Sequence, residues 1–414
     1  MQHASLRIAL LSYRSKPHCG GQGVYVRHLS RELVALGHTV EVLSGPPYPE
    51  LDPGVALTAL PGLDLYREPD PFRVPRLREF RSPLDVLEFL LMCTAAFPEP
   101  LTFSLRAWRE LRGRTERPDV VHDNQTLGYG LLLLQRAGFP VLATVHHPIT
   151  VDRAVDLAAA KGLRRQVSVR RWYSFLRMQL RVVRRLPALL TVSQSSYADI
   201  VRDFAVEPGR LTVVPVGVEH EVFVPPGTPR VRGRIVATAS ADVPLKGVVP
   251  LLEAVAKLRT ERDVELLVVG SARKGGEVAR TVARLGLEDA VRFVSGLTER
   301  QLVDVFGSAH VGVVPSLYEG FSLPAVELMS CATPLVVTTA GALPEVVGDA
   351  ALSVAPGDAE ALAAALGRVL DDDELADRLG RQGRARVIEL FTWRAVAERT
   401  VAWYRAHLSQ EPLC

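Results

Sequence analysis

Short runs of β-branched and other apolar residues alternate along this chain with longer stretches whose apolar positions recur every three or four residues. Runs of the first kind read as buried strands, and those of the second as helices with one face in a core. In the first half the strand candidates are residues 7–12, 39–44, 55–60, 120–122, 141–146, 188–192 and 211–214. Between the first two, Val26, Leu29, Leu33 and Leu36 mark one face of a helix that stops at Gly37. A second series starts near Arg234, with IVATAS, VELLVVGS, VRFVSG, HVGVVPS, TPLVVTT and ALSVAP each leading into a helix-period segment such as 248–258 or 359–370. Alternation of this kind builds parallel sheets from βαβ units. The expected fold class is α/β, with two Rossmann-like doubly wound domains. Residues 222–233, VFVPPGTPRVRG, carry neither period, are rich in Pro and Gly, and read as the linker. The expected domains are 1–222 and 223–391.

Composition adds exclusions. The chain has 414 residues, 48% hydrophobic and 23% charged, which fits two globular domains and rules out disorder or a collagen-like repeat. The longest apolar segment, 83–105, is interrupted by Asp85, Glu88, Pro98, Glu99 and Pro100, so no membrane-spanning helix is expected. The start of the chain reads as a first strand rather than a signal sequence. Cys19, Cys93, Cys331 and Cys414 lack metal-knuckle spacing and need no disulfides, as in a reducing, cytoplasmic compartment. The net charge of +3 hides an asymmetry: residues 1–225 hold 28 Lys and Arg against 22 Asp and Glu, the remainder 21 against 24. A basic first half suggests an anionic partner there.

In doubly wound sheets ligands sit beyond the carboxyl ends of the strands, so chemistry is sought in strand-to-helix loops. Cys19-Gly20-Gly21-Gln22-Gly23 lies between the first strand and its helix, where glycines allow close backbone approach and a helix start offers N–H groups to an anion. A dinucleotide fingerprint fails because Val26 stands where its last glycine belongs, and the chain has no GxxxxGK[ST] phosphate loop. Lys246-Gly247 follows the strand IVATAS, and the chain has only five lysines against 44 arginines. A lysine there suits a diphosphate as a point charge, or is simply a solvated surface residue. In Ser316-Leu317-Tyr318-Glu319-Gly320-Phe321-Ser322-Leu323-Pro324-Ala325-Val326-Glu327, a strand ends, a loop carries Glu319, and Pro324 opens the next helix. The backbone N–H groups from Gly320 to Leu323 form an anion site, with Glu327 about a turn farther on. The two carboxylates suit hydroxyl recognition better than hydrolysis, with solvated surface charge as the plain alternative.

The spacing from Glu319 to Glu327 resembles the E-x7-E pattern of retaining glycosyltransferases with the GT-B fold, specifically glycosyltransferase family 4. GGQGVYVRHLSRELVALGHTVEVL, VVPVGVEHEVF, GALPEVVGDAALSVAPGDAEALAAAL and FTWRAVAERTVAWYRAHL are similar to that family too, so the resemblance covers nearly the whole chain. It implies two domains facing a central cleft, with a final helix in 392–414 packing back on the first. It implies a nucleotide diphosphate sugar (UDP- or GDP-) as donor, a hydroxyl acceptor such as a lipid or envelope glycan precursor, retention of configuration, and no cofactor or catalytic metal. Glu319 would meet the donor sugar's hydroxyls, with Gly320, Phe321, Ser322 and Leu323 along the sugar and phosphates and Glu327 on the ribose. Lys246 would neutralise the diphosphate, and Gly20 and Gly21 would close over it. His146 falls where the family places a histidine beside the reacting centre; His147 ranks lower. The chain departs from the family's G-R-x4-K-G pattern, with Ser240-Ala241 at the first two positions. Arg273 and Lys274 are possible substitutes for the missing arginine. That departure motivates an alternative, a nucleotide-sugar-binding protein with little or no turnover.

Two charged clusters remain. Residues 161–185 hold nine basic residues, and no Asp or Glu occurs between Asp156 and Asp199. With Trp172 and other apolar residues interleaved, the stretch reads as a basic amphipathic helical segment whose Arg170, Arg171, Trp172, Arg177 and Arg181 face an acceptor or an anionic membrane. An ordinary surface helix is the competing assignment. Nucleic acid is not expected, for no aromatic stacking platform accompanies the charge. Asp371-Asp372-Asp373 fits a helix start rather than a metal site.

Overall fold

Two parallel sheets organise the protein. The computed structural model describes residues 4–16, 21–67, 69–227, 229–239 and 243–408. In chain order the strands are β1 (Arg7–Ser12), β2 (Thr39–Ser44), β3 (Ala56–Ala59), β4 (Val120–Asn124), β5 (Val141–Thr144), β6 (Leu189–Thr191) and β7 (Leu211–Val213). They continue with β8 (Val231–Thr238), β9 (Glu265–Val269), β10 (Val291–Val294), β11 (Ala309–Val314), β12 (Leu335–Thr338) and β13 (Leu352–Val354). The first seven form one sheet in the order β3-β2-β1-β4-β5-β6-β7, and the last six another in the order β10-β9-β8-β11-β12-β13. The chain divides into two compact units, Met1–Val192, Ser196–Val214 and Val396–Cys414 in unit 1, and Ser193–Ser195 and Pro215–Ala395 in unit 2.

In each sheet the strand order reverses beside the first strand, between β1 and β4 and between β8 and β11. Their registers pair Leu10 with His122 and Val313 with Ala237. Such a switch point opens a crevice at the carboxyl ends of the two strands. Helices cover both faces, so the central strands are buried throughout: all five residues of β4 and all six of β11. Fully burying each Val, Leu or Ile contributes about 1.5–3 kcal/mol, and those of β11 (Val311, Val313) share a core with Leu251, Leu252 and Val255 of the helix Val248–Leu258. Near β1, the helix Gly21–Ala35 buries Tyr25, Val26, Leu29 and Leu33. Its approach demands a glycine at 23, where a Cβ would lie 2.1 Å from the Lys16 carbonyl oxygen.

Three expectations change. Strand β4 runs two residues past 122, and β5 stops at Thr144, leaving His146 outside the ladder. The expected linker is partly docked. Phe223 is buried against Phe306 with ring centroids 6.2 Å apart, its carbonyl accepts from Ser330 Oγ (2.7 Å) and Arg384 Nη1 (2.8 Å), and β8 begins at Val231. Missing periodicity reports irregular backbone and says nothing about whether its carbonyls find partners. The basic stretch 161–185 is broken into the helix Leu163–Trp172, the 3₁₀ turn Tyr173–Phe175 and the helix Leu176–Val183. Most of its apolar residues, including Val169, Phe175, Leu176, Met178 and Val183, serve the core of unit 1.

The aspartates at 371–373 resolve as local structure. Asp371 pairs with Arg262 (2.7 Å), Asp372 caps the helix Asp373–Leu390 by accepting from Leu375 N (2.9 Å), and Asp373 meets Arg232 (3.1 Å). Among the described residues no helix is long and apolar enough to cross a membrane.

Candidate active site

In unit 2 the carboxyl end of β8 leads to a 3₁₀ turn, Pro244–Lys246, that closes on Gly247. Gly247 has φ +63, and a Cβ there would lie 1.9 Å from the Pro315 carbonyl oxygen. Only glycine lets this loop press against the end of β11. The approach brings Lys246 Nζ to 2.8 Å from Glu319 Oε1 across the switch point. Ser316 Oγ donates to the same oxygen at 2.7 Å, and Thr338 Oγ1 in turn holds the Ser316 carbonyl at 2.5 Å. The Glu319 carbonyl accepts from Ala342 N at 2.9 Å, and Gly341, φ +56, leaves the space that this loop occupies. Glu319 is therefore fixed through both backbone and side chain, its side chain only 11% exposed.

The next residues turn into the helix Leu323–Ser330. Ser193 Oγ donates to the Gly320 carbonyl (2.7 Å), and Phe321 is buried edge-on against Phe391 with centroids 5.6 Å apart. Ser322 takes φ +95 as the residue before the helix, a conformation costing a non-glycine residue about 1–3 kcal/mol. It starts the helix directly after the glutamate loop, with the first N–H groups lacking intrahelical acceptors. Glu327 is half-buried one turn in, and burial, with Glu299 as a lesser cause, pushes its carboxyl up to about 7. Arg273 and Lys274 are exposed on the loop after β9. Ser240, Ala241 and Gly20 lie outside the described residues.

Unit 1 builds its strand ends differently. His146 N donates to Gln125 Oε1 (2.6 Å), and Gln125 Nε2 donates to the His147 carbonyl (2.8 Å), so one glutamine side chain straps the loop after β5. His146 Nε2 sits 2.7 Å from Asn124 Oδ1, an acceptor, which places the ring proton on Nε2 and leaves Nδ1 with its lone pair. The Tyr25 ring packs edge-on against the imidazole at 4.8 Å. Burial, with His147 and His122 nearby, lowers the His146 pKa to about 3, so the ring is neutral. His147 instead faces Asp152 at 3.5 Å. Behind this loop, His122 bonds the Tyr404 hydroxyl (2.6 Å) and Thr144 Oγ1 (2.7 Å), and burial alone lowers its pKa to about 3. Gly21, at the helix start, is exposed.

Asn124, Gln125, His122 and Tyr404 are absent from the sequence-derived set. A signal existed for three of them: residues 122–126, HDNQT, are polar directly after an apolar strand, and all are at most 3% exposed. Buried polar residues must be partnered. The proposed acceptor or membrane face divides. Arg170, Arg171, Arg177 and Arg181 are exposed, with Arg171 bonded to Thr94 and Arg181 to the Tyr129 hydroxyl. Trp172 is not part of an open face: its half-buried ring packs among Tyr66, Phe72 and Phe97, centroids 5.1–6.0 Å away.

Known proteins resemble this chain in sequence and fold. The family model described as Glycosyltransferase Family 4 matches residues 19–222, and that described as Glycosyl transferases group 1 matches residues 226–386. An MMP alpha-(1->4)-mannosyltransferase from Mycolicibacterium hassiacum is 57% identical over 413 residues, covering 99% of this chain and 100% of the relative. The solved sucrose-phosphate synthase of Thermosynechococcus elongatus superposes with TM-score 0.73 at 26% identity, covering 96% of this chain and 98% of its own. HepE of Anabaena, solved in complex with UDP-glucose, does so with TM-score 0.71 at 14% identity, covering 97% and 100%, a likeness of fold. The chain is therefore an enzyme with the GT-B fold, and it belongs to the family 4, or group 1, glycosyltransferases.

Proposed function

We propose that this glycosyltransferase moves a mannosyl unit from a nucleoside diphosphate donor to a hydroxyl of a mannoside, forming an α-(1→4) linkage with retention of configuration. The observation that carries this is the Lys246–Glu319 pair at the unit 2 switch point, set beside a helix start, in a chain 57% identical to an enzyme named for that linkage. The pair offers both halves of a sugar diphosphate what they need. Lys246 and the N–H groups after Gly320 would hold the phosphates, and Glu319 would accept from sugar hydroxyls. Glu327, kept partly protonated near neutral pH by burial, can donate to as well as accept from a ribose hydroxyl. A solved protein of the same fold carries UDP-glucose, which supports a nucleotide sugar as donor.

As the bond from the anomeric carbon to the diphosphate lengthens, negative charge grows on the leaving oxygen. Preorganised cations and dipoles at that point lower the barrier. In a front-face substitution the acceptor oxygen bonds the anomeric carbon on the side the diphosphate leaves, and its proton passes to a departing phosphate oxygen. His146, neutral with a free Nδ1, would accept a hydrogen bond from a sugar hydroxyl without adding charge. No step needs a bound metal.

The test is product analysis after incubation with GDP- and UDP-mannose and α-mannosides, with linkage and anomeric configuration read by NMR. Donor consumption giving only free mannose, or a β-linked product, would overturn the proposal. Peripheral contact with an anionic membrane draws support from the exposed Arg170, Arg171, Arg177 and Arg181 and from Leu163 and Val167, 75% and 54% exposed one helical turn apart. Co-sedimentation with vesicles with and without anionic lipid tests it.

A further inference from the structure

Strand β4 runs out into four polar residues in a row, Asp123-Asn124-Gln125-Thr126, each at most 3% exposed. Burying polar side chains is costly, and the backbone adds to that cost. Gln125 takes φ +56 and Leu127 φ +52, left-handed angles that cost a non-glycine residue about 1–3 kcal/mol each. Asp123 Oδ2 holds the turn by accepting from Leu127 N (2.9 Å), and Gln179 Nε2 donates to the Thr126 carbonyl (3.2 Å). In a regular strand two successive side chains would point to opposite faces. The strained turn instead brings both Asn124 and Gln125 onto one loop, residues 146–147. Gln125 grips the backbone of that loop, which leaves Asn124 to the imidazole.

The orientation of the Asn124 amide follows from its two neighbours. Its Nδ2 lies 3.5 Å from the Gln22 carbonyl oxygen, which can only accept, in the first turn of the helix Gly21–Ala35. Its Oδ1 is thereby turned to His146 Nε2, 2.7 Å away, and an oxygen that cannot donate requires the ring proton on that nitrogen. The same oxygen carries no charge. A carboxylate in its place would stabilise the imidazolium, which donates from both nitrogens and accepts at neither. The other groups bearing on the ring are Tyr25, edge-on from the helix Gly21–Ala35, His122 from β4 and His147 from the same loop. His147 is itself occupied by Asp152 of the helix Thr150–Ala159, at 3.5 Å, and Asp123 is turned to Leu127 N. Among the described residues no carboxylate pairs with the His146 imidazole.

We propose that Asn124 is a positioning residue that acts through His146: its carboxamide holds the imidazole neutral, with the proton on Nε2 and Nδ1 left to accept from a sugar hydroxyl. The inference rests on the place given to His146 in the glycosyl-transfer reading above, and deepens it by naming the residue that controls the ring. An amide at this position, rather than an acid of the same size, is what keeps the site uncharged as pH falls.

Nitrogen NMR of the full chain with isotope-labelled histidine reads the ring directly. The unaltered protein is expected to show His146 as a neutral Nε2–H imidazole at neutral pH and well into acid. In Asn124→Asp the new carboxylate should raise the His146 titration by about 1–3 pH units, and the acid limb of kcat/KM should rise with it. Asn124→Leu, with neither charge nor acceptor, should lose about tenfold in kcat, the fold-change of roughly one hydrogen bond, without a raised acid limb. A ring proton on Nδ1 in the unaltered protein, or a His146 titration that stays put in Asn124→Asp, overturns the proposal. The tautomer in the unaltered protein decides the matter even where Asn124→Asp does not fold. A titration that moves while the acid limb stays put supports the hold of Asn124 on the ring, and the place of His146 in the transfer reading falls alone.

Discussion

The two sheets share a strand order, yet their switch points are furnished in opposite ways. Unit 2 brings together a lysine, a glutamate and a helix start, an arrangement of full and partial charges. Unit 1 brings together neutral groups: an imidazole, a carboxamide strap, a second imidazole and a phenol, with burial suppressing protonation of both imidazoles and ionisation of the phenol. One fold can thus present a charged or an uncharged site at the same topological position. The choice lies in a few residues after each strand. A leaving diphosphate needs compensation by charge, whereas orienting sugar hydroxyls needs geometry without a field that would favour the wrong protonation state.

The largest expected break in that contrast is Glu319→Ala, which should lower transfer by about 100- to 1,000-fold, the range for removing one preorganised polar group. Circular dichroism and thermal unfolding should stay near the unaltered protein, and near-normal turnover would remove Glu319 from the site. Lys246→Met should act mainly through the donor, raising its KM and lowering kcat together. An effect confined to acceptor KM would contradict that role.

Tyr404→Phe probes the neutral side. It leaves His122 Nδ1 buried without a partner, which should cost about 1–3 kcal/mol of stability by denaturant unfolding while donor affinity holds. Loss of donor binding in this variant would blur the distinction drawn between the units.

Proton linkage sharpens the comparison most finely. His146 titrates near 3 when folded and about 6.5 when unfolded, so the unfolded chain alone takes up a proton as pH falls from about 6.5 toward 3. That destabilises the native state in acid, and His146→Gln should lose less stability than the parent between pH 7 and pH 4. Glu327 runs the other way. With its folded pKa raised to about 7 from the ordinary 4.5, its share of stability is lost as pH rises from about 4.5 to 7. Glu327→Gln should therefore gain relative stability at pH 8 over pH 4.5. Thermal unfolding across pH reads both variants, and slopes of the same sign would show that one of the two environments is misassigned.

Much of this was legible in one dimension. Short apolar runs alternating with period-3.6 stretches placed the strands of both sheets to within a few residues, because strands covered on both faces must be apolar throughout. Pro324 announced the helix start beside the unit 2 site, since proline suits a first helical turn. That the linker is partly docked could not be read from the sequence, because Phe223 finds Phe306, Ser330 and Arg384 far along the chain. The break of the basic stretch at the 3₁₀ turn Tyr173–Phe175 was not legible, since an apolar stripe looks the same whether one helix or two carry it.

The sequence by itself determined the alternation of elements, the class of fold and the family, and it singled out Lys246, Glu319 and His146 after their strands. Only the tertiary structure decided their partners. Lys246 meets Glu319 73 residues away, Gln125 straps a loop 21 residues on, and Tyr404 reaches His122 across 282 residues. The physical reason is that local pattern reports which face of an element is buried. Hydrogen bonds and ion pairs between distant segments depend on the path by which the sheet brings strand ends together.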